Sequence, residues 1–131
     1  MEFTELQPGL SGTAEELVTE RNTAAAMGSG SLPVYATPAM TCLMEQAAAE
    51  LAEANLPEGW TSVGISLQIQ HKAATPVGCR IRATAKITAV EGRKLIYEVQ
   101  AFDNKEEIGS GTHERFLVQK EKFLAKAKSK Q

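Results

Sequence analysis

Three side chains in this 131-residue sequence combine reactive chemistry with an informative position: Thr37, Glu45 and His71. Thr37 directly precedes Pro38 at the predicted start of a helix, where it fits the N-cap position. The free backbone N–H groups at such a start also suit a developing oxyanion. Capping and oxyanion binding both explain this threonine, so the pattern by itself leaves its role open.

Glu45 lies away from the polar stripe of the same predicted helix. On a helical wheel, Gln46, Glu50 and Glu53 share that stripe, whereas the neighbours of Glu45 at helical spacing are all small. These neighbours are Thr41, Cys42, Ala48, Ala49 and Ala52. A carboxylate beside small side chains has room for a ligand or for a second helix, and it equally fits a surface ion pair.

His71 ends a stretch in which odd positions are apolar. The odd positions before it are Val63, Ile65, Leu67 and Ile69. Because alternate residues of a strand share one face, His71 is predicted to point to the covered side of a sheet. An imidazole there is either a satisfied core histidine or a functional group beside the turn that follows.

The remaining candidates carry less specific patterns. Cys42 and Cys79 lie 37 positions apart, which suits neither a disulfide scaffold nor a zinc site, and we expect them to pack as small hydrophobes. His113 follows a Gly-Ser-Gly-Thr segment that lacks the spacing of a phosphate loop. The sequence therefore predicts no metal site and no bound cofactor.

The elements that position these residues are one helix and several strands. A helix is predicted from Thr37 to about Asn55, and its apolar face comprises Met40, Leu43, Met44, Ala47, Leu51 and Ala54. Strands are predicted over residues 63–71, 81–89, 95–101 and 107–118, with a weaker one within 13–23 and a loop over 24–33. Short links favour antiparallel neighbours, and one apolar sheet face needs the helix as its cover. The predicted fold is α+β.

Composition limits the class of protein. With 43% hydrophobic and 23% charged residues, the chain fits one globular domain over 1–131 and neither a disordered nor a membrane-spanning protein. A net charge of −2 argues against a nucleic-acid partner, although residues 119–131 form a lysine-rich tail. The start lacks the pattern of a signal peptide, which together with the two cysteines predicts a cytoplasmic location.

Three stretches resemble the hot-dog-fold acyl-CoA thioesterases, in particular the fluoroacetyl-CoA thioesterase-like group. They are residues 34–45 (VYATPAMTCLME), 70–78 (QHKAATPVG) and 107–115 (EIGSGTHER), the last preceded by VEGR at 90–93. The resemblance implies a curved antiparallel sheet wrapped around one long central helix, and it implies a homodimer. It also implies hydrolysis of a small acyl-CoA to the free acid and CoA, without a further cofactor.

The resemblance also assigns roles to residues. The catalytic threonine, glutamate and histidine of the family fall on Thr37, Glu45 and His71. The glycine that approaches the bound thioester falls on Gly64, and a glycine within a strand permits such a close approach. Arg115 matches a family position from which it would bind a CoA phosphate or pair within the sheet.

One segment departs from the family pattern. The fluoroacetyl-selective enzyme carries aromatic residues before its catalytic threonine, whereas residues 28–33 here (GSGSLP) contain none. This difference argues against fluoroacetyl selectivity and predicts a more open acyl pocket. Two alternatives remain on the same scaffold: a hydratase or dehydratase of acyl thioesters, and a non-catalytic acyl-CoA-binding module. The acyl chain, a covalent or general-base route, and a dimer or tetramer also remain open.

Overall fold

A computed structural model, which describes residues 3–131, contains one five-stranded antiparallel sheet and one long helix packed across it. In chain order the elements are β1 (Ser11–Leu17), a 3-10 turn (Glu20–Asn22), α1 (Ala24–Met27), α2 (Thr37–Glu53), β2 (Trp60–His71), β3 (Arg80–Glu91), β4 (Lys94–Phe102), β5 (Glu107–Gln119) and α3 (Lys120–Lys128). The strand order is β1-β3-β4-β5-β2, so β1 and β2 form the two edges. The α+β prediction is confirmed.

The core lies between α2 and the sheet. The helix packs against β1, β2, β3 and β4. Four of its predicted apolar-face residues are buried, namely Met40, Leu43, Met44 and Ala47, whereas Ala54 is exposed at its end. The odd positions of the central strands are fully buried: Ile81, Ala83, Ala85 and Ile87 in β3, and Leu95, Tyr97, Val99 and Ala101 in β4. The alternation predicted for β4, and for β3 as far as Ile87, is therefore confirmed. Ala89, which lies beyond a register shift between β3 and β4, is only half-buried.

Edge strand β2 does not keep its predicted alternation. The register between β2 and β5 shifts between Gly64 and Ser66, which is a β-bulge. Ser62 is consequently buried, whereas Ile65 is 51% exposed. The prediction that Ile65 faces the core was wrong, because the additional residue in a bulge reverses which side chains face inward.

The lysine-rich C-terminal segment is helical. Residues Lys120–Lys128 form α3, whose side chains are all exposed, and the backbone N–H of Lys120 donates to the carbonyl of Gly59 at 2.9 Å. This hydrogen bond extends the pairing of β5 with β2 by one residue, at the point where α3 begins. Within residues 3–131, no helix has the length and apolar character that crossing a bilayer requires.

Candidate active site

Thr37 is the first residue of α2, and its side chain does not cap the helix. Ala36 occupies the N-cap position, so the predicted capping role of Thr37 was wrong. The Thr37 hydroxyl instead forms a hydrogen bond with Nδ1 of His71, with an oxygen-to-nitrogen distance of 2.8 Å. The first predicted pair of site residues is thus brought together by the start of α2 and the end of β2.

His71 is half-buried at the end of β2. Burial lowers the pKa of its imidazole, and hydrogen bonding with the backbone of Ala73 acts in the opposite direction. Its Nε2 has no hydrogen-bond partner among the residues that the structure describes. The hydrogen bond with the Thr37 hydroxyl fixes the orientation of the imidazole ring, and which of the two atoms donates depends on the tautomer of the ring.

Glu45 lies in a second cluster, one side of which is formed by Gly64. The Oε2 atom of Glu45 is 3.6 Å from Nη1 of Arg115 and 3.9 Å from Nε2 of His113. A Cβ atom at position 64 would lie only 2.5 Å from the same Oε2. Only glycine therefore leaves this carboxylate in place, while the Glu45 side chain keeps 43% of its surface exposed.

Arg115 is buried behind Glu45, and its position is fixed by hydrogen bonds. Its Nε donates to Ser62 Oγ at 2.7 Å, and its Nη2 donates to the Ser62 carbonyl at 3.0 Å. Its Nη1 lies 3.1 Å from Nε2 of His113, whose Nδ1 lies 2.8 Å from the carbonyl of Ser66. Because a carbonyl only accepts, the His113 proton belongs on Nδ1, and Nε2 accepts from Arg115.

The charge of this cluster follows from that arrangement. Burial lowers the pKa of His113, the Ser66 carbonyl opposes the lowering, and the Arg115 charge adds to it. His113 is therefore neutral near pH 7, and the Arg115 guanidinium is the cation that faces Glu45. The buried guanidinium therefore places its positive charge next to the Glu45 carboxylate.

Sequence reasoning missed two residues of this network, Ser62 and Tyr97. The Tyr97 ring stacks on His113 with a centroid distance of 5.8 Å, and its hydroxyl donates to the Ala48 carbonyl at 3.0 Å. The available signal for Tyr97 was a side chain with a polar tip among the apolar odd positions of its strand. Ser62 had no such signal, because its inward direction depends on the bulge in β2.

The two clusters are separate within one chain. Thr37 and Glu45 lie eight residues apart on α2, which corresponds to a rise of about 12 Å. The structure thus joins Thr37 to His71, and it joins Glu45 to Gly64, His113 and Arg115. The five predicted site residues form two half-sites.

Two hollows adjoin the Thr37–His71 pair. One is a cavity of about 300 Å³ whose walls include Ala24, Ser29 and Val34. The other is a groove of about 760 Å³ that runs from Thr37 and Thr41 along residues 67–70 of edge strand β2. Both are large enough for part of a small ligand. Within residues 3–131, no group of three or more His, Cys, Asp or Glu side chains is arranged to hold a metal ion.

Comparison with known proteins shows the family to which the chain belongs. The model of the fluoroacetyl-CoA-specific thioesterase family (FlK) matches residues 18–121. The chain belongs to this family. It is 44% identical over 97 residues to the fluoroacetyl-CoA thioesterase of Streptantibioticus cattleyicolor, a match that covers 74% of this chain and 70% of that enzyme. Membership of this thioesterase family identifies the chain as a thioester hydrolase acting on acyl-CoA.

Solved structures give the same result for the fold. A variant of the fluoroacetyl-CoA thioesterase FlK in complex with acetyl-CoA superposes with a TM-score of 0.90, at 36% identity over 95% of this chain and 98% of that one. A hot-dog-like protein from Thermanaerovibrio acidaminovorans superposes with a TM-score of 0.89, at 24% identity over 99% and 97% of the two chains. The predicted hot-dog fold is confirmed.

Proposed function

We propose that this protein hydrolyses acyl-CoA thioesters with Thr37, Glu45 and His71 as its catalytic residues. The observation that carries the proposal is the 2.8 Å hydrogen bond between Thr37 and His71 beside an open cavity, in a chain of this family. The carboxylate that the chemistry requires is Glu45, with the Arg115 cation behind it. One catalytic centre requires these two half-sites to meet.

A homodimer built through β2 satisfies this requirement. β2 is a 12-residue strand at the edge of the sheet, and Ile65 projects from it with half of its surface exposed. Long exposed edge strands pair readily with another chain, and identical chains pair about a two-fold axis. An axis near Leu67, about midway between Gly64 and His71, places the Glu45 half-site of one chain beside the Thr37–His71 half-site of its partner.

In the proposed reaction the thioester carbonyl lies between the two half-sites. By one route, a Glu45 oxygen attacks the carbonyl carbon, the C–S bond breaks, CoA leaves as its thiolate, and water cleaves the resulting anhydride. By the other route, Glu45 removes a proton from a water molecule that attacks directly. His71, oriented by Thr37, assists the attack of water, and backbone N–H groups at the start of α2 stabilise the oxyanion. Both routes use only side chains and water, with no cofactor.

A thiol-release assay tests the reaction. Incubation with a panel of acyl-CoA thioesters is expected to release free CoA thiol and one equivalent of the acid. A hydratase would release no thiol, and a binding module would retain acyl-CoA without turnover, so either result would overturn the proposal. A single turnover in isotopically labelled water bears on the routes: label found in Glu45 identifies the anhydride route, because only hydrolysis of an anhydride at the Glu45 carbonyl carbon transfers a water oxygen to that side chain.

The cavity beside Thr37 and His71 also supports an acyl specificity. Its lining includes Ala24 at the start of α1 and Ser29 just after α1, both small side chains. We infer that acyl groups larger than fluoroacetyl enter it, and that selectivity for fluoroacetyl over acetyl is lost. The expected result is comparable kcat/KM for acetyl-CoA, fluoroacetyl-CoA and butyryl-CoA. A preference of a hundredfold or more for fluoroacetyl-CoA would contradict this inference.

We propose a cytoplasmic location for this activity. Cys42 and Cys79 are both free, and free thiols are maintained in a reducing compartment. Cys42 is exposed, in contrast to the expectation that it would pack in the core. Cell fractionation with an antibody against the protein tests the location.

A further inference from the structure

A short turn connects the end of β2 to the segment that precedes α2. We call residues 72–76, which directly follow His71, the histidine turn. The backbone N–H of Tyr35, two residues before Thr37, donates to the carbonyl of Thr75 at 2.8 Å. The position of the histidine turn relative to Tyr35 therefore affects how Thr37 and His71 face each other.

The histidine turn also forms part of the candidate site. Lys72, Ala73 and Ala74 line the cavity of about 300 Å³ beside Thr37 and His71. A shift of the turn would alter this cavity and the Thr37–His71 hydrogen bond together. Catalysis is sensitive to such shifts, since a misplacement of about 1 Å can lower a rate about 100-fold. The contacts that hold the turn in place therefore bear on the reaction.

One polar side chain of the histidine turn is completely buried. Thr75 has no exposed surface, and its hydroxyl donates to Oδ2 of Asp103 at 2.8 Å. Asp103 lies 28 residues further along the chain, directly after β4. A hydrogen bond to an ionised carboxylate is roughly twice as strong as one between neutral groups. This contact therefore links the histidine turn firmly to the turn between β4 and β5.

Backbone donors fix the Asp103 carboxylate. Its Oδ1 accepts from the N–H of Lys105 at 2.9 Å and from the N–H of Glu106 at 3.0 Å, so the aspartate organises its own turn. Burial acts to raise the pKa of Asp103, but the hydrogen bonds from Lys105, Thr75 and Glu106 outweigh it and hold the pKa below its ordinary value. Asp103 is therefore charged near pH 7 and accepts the Thr75 hydrogen as a carboxylate.

We propose that Thr75 and Asp103 are positioning residues for the Thr37–His71 pair. Asp103 holds the Thr75 side chain, and the Thr75 carbonyl holds the backbone of Tyr35. One carboxylate thus fixes the turn that connects the two members of the pair. This inference rests on the proposed function, because it concerns the geometry of the same site.

Two substitutions at Thr75 separate the hydroxyl from the shape of the side chain. Thr75→Val keeps the shape and removes the hydroxyl, whereas Thr75→Ser keeps the hydroxyl. In the thiol-release assay, Thr75→Val is expected to lower kcat about tenfold or more with KM within about twofold, and Thr75→Ser should keep kcat within about threefold. The control Thr88→Val removes an exposed hydroxyl that donates to the Ile96 carbonyl, and it should leave both constants unchanged.

Asp103→Asn removes the same contact from its other end. The amide oxygen can still accept from the N–H groups of Lys105 and Glu106, but the amide nitrogen cannot accept from the Thr75 hydroxyl. We expect the same fall in kcat, and this partly exposed position provides a second variant should Thr75→Val not fold. In a double-mutant cycle, Asp103→Asn should add little to Thr75→Val, because both remove one hydrogen bond.

The imidazole ¹⁵N resonances measure the geometry of the pair without turnover. The chain has two histidines, His71 and His113, so the spectrum of His71→Gln identifies the His71 signals. Thr75→Val and Asp103→Asn are expected to shift these signals and to leave those of His113 in place, whereas Thr88→Val should shift neither. Such a shift in a protein that hydrolyses no thioester would reject the proposed reaction and retain the positioning role.

Four results would overturn the proposal. An unchanged kcat in folded Thr75→Val and Asp103→Asn, even with a lower free energy of unfolding, would limit the contact to stability. Equal losses in Thr75→Val and Thr75→Ser would exclude the hydroxyl as the cause. Additive losses in the double variant would show that the two residues act separately. Unchanged His71 resonances in both variants would show that the pair does not depend on this contact.

Discussion

Glu45 is the residue on which the proposed chemistry depends. Glu45→Gln keeps the shape of the side chain and removes its charge, so neither attack on the carbonyl nor proton removal from water is possible. We expect kcat to fall by a factor of about 100 or more, with the fold retained. The thiol-release assay measures this loss, and circular dichroism checks the fold. Activity within threefold of the wild type would exclude Glu45 as the catalytic group.

Ser62 is expected to affect catalysis through Arg115, the side chain that its two hydrogen bonds hold in position. Ser62→Ala removes the acceptor of Arg115 Nε and leaves a buried N–H without a partner, which costs about 1–3 kcal/mol. We expect a lower free energy of unfolding in urea, together with a reduced kcat at little-changed KM, because Arg115 no longer holds its position behind Glu45. Ser66→Ala is the control, since only the backbone of Ser66 enters the network. Equal effects of both substitutions would contradict this assignment.

At the scale of elements, the absence of a side chain at Gly64 allows β2 to lie close to the Glu45 side chain of α2. Gly64→Ala places a methyl group 2.5 Å from the present position of Glu45 Oε2, so the carboxylate must move. We expect kcat to fall about tenfold or more while the protein remains folded. In a double-mutant cycle, Gly64→Ala should have little further effect on a protein that already carries Glu45→Gln. Additive effects would show that Gly64 acts independently of the carboxylate.

At the scale of the whole molecule, subunit complementation tests whether the site is shared between chains. Glu45→Gln and His71→Ala homodimers should each be inactive. When equal amounts are unfolded together and refolded, half of the dimers contain one chain of each kind, and one of their two sites is intact. Recovery of about a quarter of the wild-type activity is therefore expected. No recovery in confirmed mixed dimers would place the complete site within one chain.

Stability should also depend on pH through the buried histidines. The pKa values of His71 and His113 are both lowered by burial, so below the ordinary value of about 6.5 the unfolded chain binds protons that the folded chain does not. The contribution of these two histidines to the free energy of unfolding is therefore complete above that pH, and it is lost as the pH falls. The limit is about 1.4 kcal/mol per pH unit for each histidine, less for the half-buried His71. Urea unfolding at pH 7.5, 6.0 and 5.0 measures the fall, and His113→Gln should reduce it.

The sequence by itself determined the α+β fold and most of its core. Period-two patterns in β3 and β4 and the apolar face of α2 are local signals, and β3 follows its pattern up to Ile87, after which its register with β4 shifts. The motifs around Thr37, Glu45 and His71 likewise indicated the family. These features depend on residues close together in the chain, which is why they can be read from it.

Only the tertiary structure decided how the site is divided. The bulge after Gly64 arises from pairing with β5, and it turns Ser62 inward and Ile65 outward against the sequence pattern. The partner of Thr37, the enclosure of Arg115 and the distance between the half-sites depend on where β2 crosses α2. Contacts between segments tens of residues apart depend on packing of the whole chain, and no local periodicity encodes them.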